Sequence, residues 1–427
     1  INNQQNWTLT ETPYVGAGWT ARLYQPQPTG LLWEVDMSPD GELVAVVDIN
    51  SNVLTVWNTS DGRTIFHANH QNSLVEVIWL DNQHVLAADN GTQWFSYEVI
   101  DTGQTWPMNA TSMRSGHWTD NLTGGYSGWL WGLDSTLDHN RLVFCGDIND
   151  PNIGGEIVVA DTAFFIDGSF ANSAHVFTND WGTDCAISDN GTFVASLNRY
   201  YDSAIGANRD TVAGWDVLGS SLAQTWHRNI AGGESSAWAI DFNPIVQTYT
   251  IAYNRPSEGV IVDFFVDTGA VSWYTPVPQY LTSLQWTPTG AYVAAGMTDP
   301  GKILFMDGAG TILGDYGWHS TVSSGKSYPA DVTAIATGDQ GNKIISAGKD
   351  GSIEIYNIDF STNQLEIDYR FGSDLMREIA IHPFNPLIAL AESSGVATVR
   401  SFVTGQISSQ CFHPDYGQNI GVFPYAK

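Results

Sequence analysis

Basic residues are scarce in this chain. Its 427 residues include 16 lysines and arginines against 45 aspartates and glutamates, a formal net charge of −29. The acidic count is ordinary for this length, so the imbalance comes from missing cations rather than added carboxylates. That makes nucleic acid or an anionic membrane a poor partner, since both need basic patches. Cysteine is scarcer still: Cys145, Cys185 and Cys411 are too few and too scattered for a disulfide framework or a zinc site. They read as buried free thiols, with a Cys145–Cys185 bridge between neighbouring repeats as the alternative. No apolar run is long enough for a transmembrane segment. His-x-x-x-His, Gly-x-Ser-x-Gly and Walker-type elements are also missing, so no catalytic signature is present. Paired carboxylates contributed by different repeats would leave no spacing signal, which keeps a carbohydrate-active enzyme open as an alternative.

What is present is a repeat. Five segments place an apolar residue at the end of one strand and an alanine eight residues later: Met37/Ala45, Trp79/Ala87, Ile187/Ala195, Trp286/Ala294 and Ile381/Ala389. Three looser matches lie around Thr136, Phe242 and Ala336, so successive anchors fall 42, 57, 51, 55, 44, 50 and 45 residues apart. Repeats of this period indicate a β-propeller. The first unit shows the strand order: EVDMSPDGELVAVVD (34–48) gives two strands around a Pro-Asp-Gly turn, VLTVWN (53–58) a third and RTIFHA (63–68) a fourth. Third strands recur at 92–99, 155–161, 210–217, 259–266, 302–308, 351–358 and 395–402. The expected fold is all-β, a single eight-bladed β-propeller of four-stranded antiparallel blades over residues 31–427, with seven blades as the alternative. Residues 1–30 fall outside the count, as an N-terminal extension or closing strand that includes WTARLY (19–24).

The segments EVDMSPDGELVAVVDINSNVLTVWNTSDG (34–62) and VTAIATGDQGNKIISAGKDGSIEIYNID (332–359) resemble WD40-type repeats. Elsewhere the Gly-His before the inner strand is missing, and only Gly214-Trp215-Asp216 ends a strand with Trp-Asp. The buried Asp-His-Ser/Thr-Trp network of such repeats is therefore not expected, and the resemblance is to the broader WD40/YVTN-like superfamily. It implies a scaffold that holds partners on its faces. DTGQTW (101–106) and DTGAVSW (267–273) resemble the tryptophan turns of eight-bladed quinoprotein dehydrogenases, but the adjacent cysteine pair of those enzymes is absent. A Thr-Gly turn followed by a packing tryptophan suffices without a cofactor, and none is expected.

Irregular loops on a regular ring mark candidate sites. The longest insertion, 107–129, carries Arg114, His117, Trp118 and Trp129. Two others, 147–156 and 198–210, lie between second and third strands of consecutive repeats, so all three open on one face; Tyr200 and Tyr201 belong to the last. Trp118, Trp129, Trp181 and Trp318 occupy connections where no repeat position demands a large ring, and exposed indoles stack on ligands. Trp79, Trp106, Trp215, Trp226, Trp273 and Trp286 read as core, and His117, His319 and His382 as surface or turn residues. Asp147, Asn149, Asp150 and Glu156 offer oxygen ligands suited to calcium, although Asx-rich turns of this kind form without metal. Of six Asn-x-Ser/Thr sequons, Asn109 and Asn121 lie in the long insertion and are the glycosylation candidates.

The sequence begins at Ile1 with neither an initiator methionine nor a secretory signal, and a processed, secreted or cell-surface protein is the expectation. The functional expectation is a non-enzymatic extracellular propeller that binds a protein or glycan partner through loops on one face. The alternatives are a carbohydrate-active hydrolase or lyase with carboxylates at the central channel, and a self-associating surface protein. Carboxylates converging on the channel would favour the enzyme. An aromatic patch on the rim would favour the binder.

Overall fold

The repeat anchors are buried as their spacing requires. In the computed structural model Ala45, Ala87, Ala195, Ala294 and Ala389 are all fully buried. Each sits on a second strand sandwiched between neighbouring sheets, where only a small side chain fits. The structure describes residues 19–24, 32–48, 52–58, 64–91, 93–101, 108–109, 114–117, 128–136, 138–150, 153–168, 173–178, 180–203, 207–230, 236–298, 301–317, 319–323, 326–329, 331–338, 342–348, 352–372, 376–381, 386–392, 396–401, 407–412 and 421–426.

The described strands form eight four-stranded antiparallel units. Their innermost strands are Leu32–Met37, Leu74–Trp79, Gly128–Ser135, Trp181–Ile187, Ser236–Phe242, Leu281–Trp286, Val332–Gly338 and Met376–Ile381. Each lies against the innermost strand of the next unit, and Met376–Ile381 lies against Leu32–Met37. The ring closes through apolar packing at that last seam: Val35, Met37, Val44 and Val46 of the first unit bury against Ala380, Ala389, Ala397 and Val399 of the eighth. Between the two chain ends, Trp19–Tyr24 pairs antiparallel with Gly421–Ala426 as a separate two-stranded sheet. The only described helix is the short Thr162–Ile166, and no described helix is long and apolar enough to cross a membrane.

Turn chemistry sets the first hairpin. Gly41 has φ +70°, a conformation that favours glycine. Ser38 Oγ donates to Asp40 Oδ1 at 2.7 Å and accepts the Leu43 amide at 3.0 Å. Every inner strand also carries a register shift against its second strand, from Leu32/Glu34 in the first unit to Met376/Glu378 in the eighth. A bulge at one repeat position bends all eight strands alike. Counting from that bulge corrects two of the loose anchors by one residue, Thr136 to Ser135 and Ala336 to Thr337.

Outer-strand tryptophans join the units at the ring's periphery, as expected for Trp226 and Trp273. Trp226 Nε1 donates to the Val266 carbonyl at 2.6 Å, and Trp273 Nε1 to that of Gly308 at 3.1 Å, each in the following unit. Trp106 lies outside the described residues. The fourth strand of the second unit is Arg114–His117 rather than the segment around Trp106, and Met108–Asn109 turns back to pair in parallel with Phe66–His67 of the first unit.

His319 departs from expectation. It is fully buried, with Nε2 2.9 Å from Ser346 Oγ and 3.8 Å from Glu354 Oε2, and Tyr356 donates its hydroxyl to the same carboxylate oxygen. A buried histidine–serine contact therefore forms here, which the sequence reading of His319 as a surface or turn residue missed. Elsewhere the serine or threonine accepts from tryptophan instead: Trp215 Nε1 donates to Ser196 Oγ at 3.0 Å and Trp286 Nε1 to Thr250 Oγ1 at 2.9 Å.

Candidate functional site: the channel wall and the rim of the third and fourth units

Inner strands of neighbouring units do not pair with one another, so each leaves backbone N–H groups facing the seam, and buried N–H groups demand acceptors. Aspartates supply them at a fixed repeat position. Asp36 Oδ2 accepts the Trp79 amide at 2.7 Å, Asp134 Oδ2 that of Ile187 at 2.9 Å and Asp241 Oδ2 that of Trp286 at 2.7 Å. Gln285 Oε1 accepts the Thr337 amide at 2.9 Å in the same way. Asp184, two residues nearer the bulge, reaches the Ile240 amide at 3.2 Å. The other oxygen of Asp36, Asp134 and Asp184 takes the amide of the following residue at 2.8–2.9 Å. Sequence reading missed this device, although the aspartate one residue before the anchor in three units was its signal.

Of these, Asp36, Asp134 and Gln285 line a cleft of about 360 Å³ in the central channel, together with Glu34, Glu76 and His139. Carboxylates do therefore converge there. Burial raises Asp134 to about 6 and Asp184 to about 8, and pushes Asp241 well above the usual carboxylate range. Perturbed acids in a cleft are a common mark of catalysis. Here the oxygens of Asp36, Asp134 and Asp184 are already engaged by backbone donors, which accounts for them as structural staples.

The rim is different. The two insertions at 147–156 and 198–210, expected as loops, are extensions of β-hairpins: Arg141–Asp150 pairs with Ile153–Asp161, and Phe193–Asp202 with Ala207–Leu218. They extend the third and fourth units at the same end of their strands. The backbone of the first meets the inner strand of the fourth unit. A Cβ at Gly155 would lie 2.5 Å from the Gly146 carbonyl oxygen and 2.9 Å from the Gly182 nitrogen, so glycine is required at that contact. On either side of this seam two indoles stand in solvent, Trp131 with 50% and Trp181 with 43% of its surface exposed, and Phe177 at the outer edge of the third unit is 36% exposed. Trp131 Nε1 donates to Asp147 Oδ1 at 3.2 Å. Asp180, next to Trp181, accepts from Thr211 Oγ1 at 3.1 Å. Beneath, buried Asp210 pairs with Arg199 Nε at 2.8 Å and accepts the Ala237 amide, tying the fourth unit to the fifth.

The residues singled out in the sequence fare unevenly. Trp181 lies on this rim. Tyr200 is half-buried in the hairpin opposite Arg209, and Tyr201 pairs with Asn208, its side chain outside the described residues. Trp129 pairs with Asp147 in the inner strand; its side chain, that of His117, and all of Trp118 and Trp318 lie outside the described residues. Arg114 does not belong to the rim. It pairs with Ser96, and its guanidinium packs on Gly168 and lies 5.8 Å from the Phe164 ring, beside the connection between third and fourth strands that opens on the opposite face.

The proposed calcium ligands do not converge as a set. Glu156 pairs with Gly146 and Asp147 with Gly155, so alternation points the two side chains to opposite faces of the sheet. Glu156 is buried, neither of its oxygens has a hydrogen-bond partner among the described residues, and burial raises it to about 8. The side chains of Asn149 and Asp150 lie outside the described residues, and among those described no three acidic, histidine or cysteine groups stand together as a metal site. Asn109 sits in the strand paired with His67, and Asn121 lies outside the described residues.

No family model and no curated protein matches the sequence. Among solved structures the chain is similar to the Dos1 propeller, with a TM-score of 0.60 at 12% identity over 92% of this chain and 93% of that one. It is also similar to the Cps50 (Swd1) β-propeller domain of Myceliophteria thermophila, with a TM-score of 0.51 at 9% identity over 90% of this chain and 99% of that one. At such identities the likeness is one of fold, and with the ring and repeat described above it shows that this chain folds as a β-propeller.

Proposed function

We propose that this chain is a non-enzymatic, exported binding propeller that holds a protein partner on the face bearing the long hairpins of the third and fourth units. The observation that carries the reading is the pair of solvent-exposed indoles, Trp131 and Trp181, on a seam made rigid by direct backbone contact. Exposed tryptophans on a preorganised surface are what binding hot spots require. The neighbouring Asp147 and Asp180, on a chain of net charge −29, favour a lysine- or arginine-bearing segment, since a cation gains from both the carboxylates and the indole faces. The non-enzymatic part is supported by the channel aspartates, whose oxygens hold the ring together.

Photo-crosslinking tests this. A photoreactive residue at position 131 or 181 of the full chain, presented to the surface of source cells, should give one discrete protein adduct that excess unlabelled protein suppresses. The same residue at Glu42, on the opposite face, should not. Equal adducts from both faces, or none, would refute the reading, and glycan-array binding lost in Trp181→Ala would reassign the surface to carbohydrate.

A further inference from the structure

Cys145 and Cys185 are buried in one apolar cluster at the seam of the third and fourth units. Cys145 lies on the second strand of the third unit, opposite Gly132, and Cys185 on the inner strand of the fourth. Both reach the same glycine. A Cβ at Gly132 would lie 2.9 Å from Cys145 Sγ and 2.9 Å from the Cys185 nitrogen, and Cys185 Sγ approaches the Gly132 carbonyl oxygen at 3.6 Å. Residue 132 therefore leaves no side chain between the sulfurs.

We propose that Cys145 and Cys185 form an inter-unit disulfide, a covalent staple under the rim that carries Trp131 and Trp181. The reaction is thiol–disulfide exchange with a small-molecule disulfide such as oxidised glutathione. Two S–H bonds and the incoming S–S bond break, the Cys145–Cys185 bond forms, and the two electrons and two protons leave on two glutathione thiols. Burial raises both thiols above their ordinary range, so little thiolate exists in the closed ring. Oxidation accordingly belongs to folding, before the seam closes, or to transient opening.

The test is a thiol count on the full chain, folded in a glutathione redox buffer, quenched with N-ethylmaleimide in denaturant and read by intact mass. The staple leaves one adduct, on Cys411, and three after reduction; in Cys411→Ser it leaves none before reduction. The oxidised chain should also melt several degrees above the reduced one, and that difference should vanish in Cys145→Ser. Three adducts in the oxidised sample, or peptide mapping that joins Cys411 to either partner, would overturn the proposal.

Discussion

Replacing Asp184 with asparagine separates a buried, protonated staple from a charged one. Burial lifts this carboxyl from 3.8 to about 8, with the nearby charge of Asp134 adding to the rise. An acid whose folded-state pKa exceeds its unfolded value holds its proton more tightly when folded. Its contribution to stability is therefore fully present below pH 3.8 and is lost as pH climbs towards 8. At ~1.4 kcal/mol per pKa unit, the loss between pH 5 and pH 8 is on the order of 3 kcal/mol. Asp134, raised to about 6, loses stability in the same direction over the lower half of that window. Asparagine resembles the protonated acid but accepts through one oxygen only, so it serves either the Cys185 or the Ile240 amide at a cost of about 1 kcal/mol. The variant should thus be within about 1 kcal/mol of the parent at pH 5 and about 4 kcal/mol more stable at pH 8. Reversible urea unfolding at both pH values measures this. A variant destabilised equally at pH 5 and pH 8, with the parent's pH slope intact, would show that Asp184 is ionised in the folded ring and refute the reasoning.

Two substitutions test the seams. Gly269→Ala places a Cβ 2.4 Å from Trp226 Cδ2 at φ +59°, whereas Gly219→Ala, at φ +63°, meets nothing within 4 Å. The first should cost about 2–4 kcal/mol and the second about 1 kcal/mol, since only the first adds a clash to the backbone strain; equal losses in thermal melts would mean that the tryptophan contact holds nothing. Arg199→Ala leaves fully buried Asp210 without its cation, and should cost about 3–5 kcal/mol in urea unfolding. A loss under 1 kcal/mol would show that the Ala237 amide alone satisfies the carboxylate.

The propeller was legible because each repeat satisfies its own local rules. The Ser38–Gly41 turn, the alternation of its flanking strands and the buried Ala45 follow from neighbours within a dozen residues. The site was less legible. Trp181 stood out because no repeat position calls for an indole there, but Trp131 lies on an inner strand whose pattern predicts burial. Only the bulge between Leu130 and Gly132 accompanies its exposure. Arg114 misled because the long insertion hid a fourth strand, which carries its guanidinium to Gly168 instead of to the rim.

Sequence by itself determined the all-β class, the repeat period and the buried anchors, since each depends on composition or on contacts within one repeat. The tertiary structure decided which residues meet across seams. Asp36 finds the Trp79 amide, Cys185 finds Cys145 and His319 finds Ser346 only when the ring is assembled. Partners separated by 27 to 43 residues carry no local spacing signal, because it is the radial packing of separate sheets that chooses them.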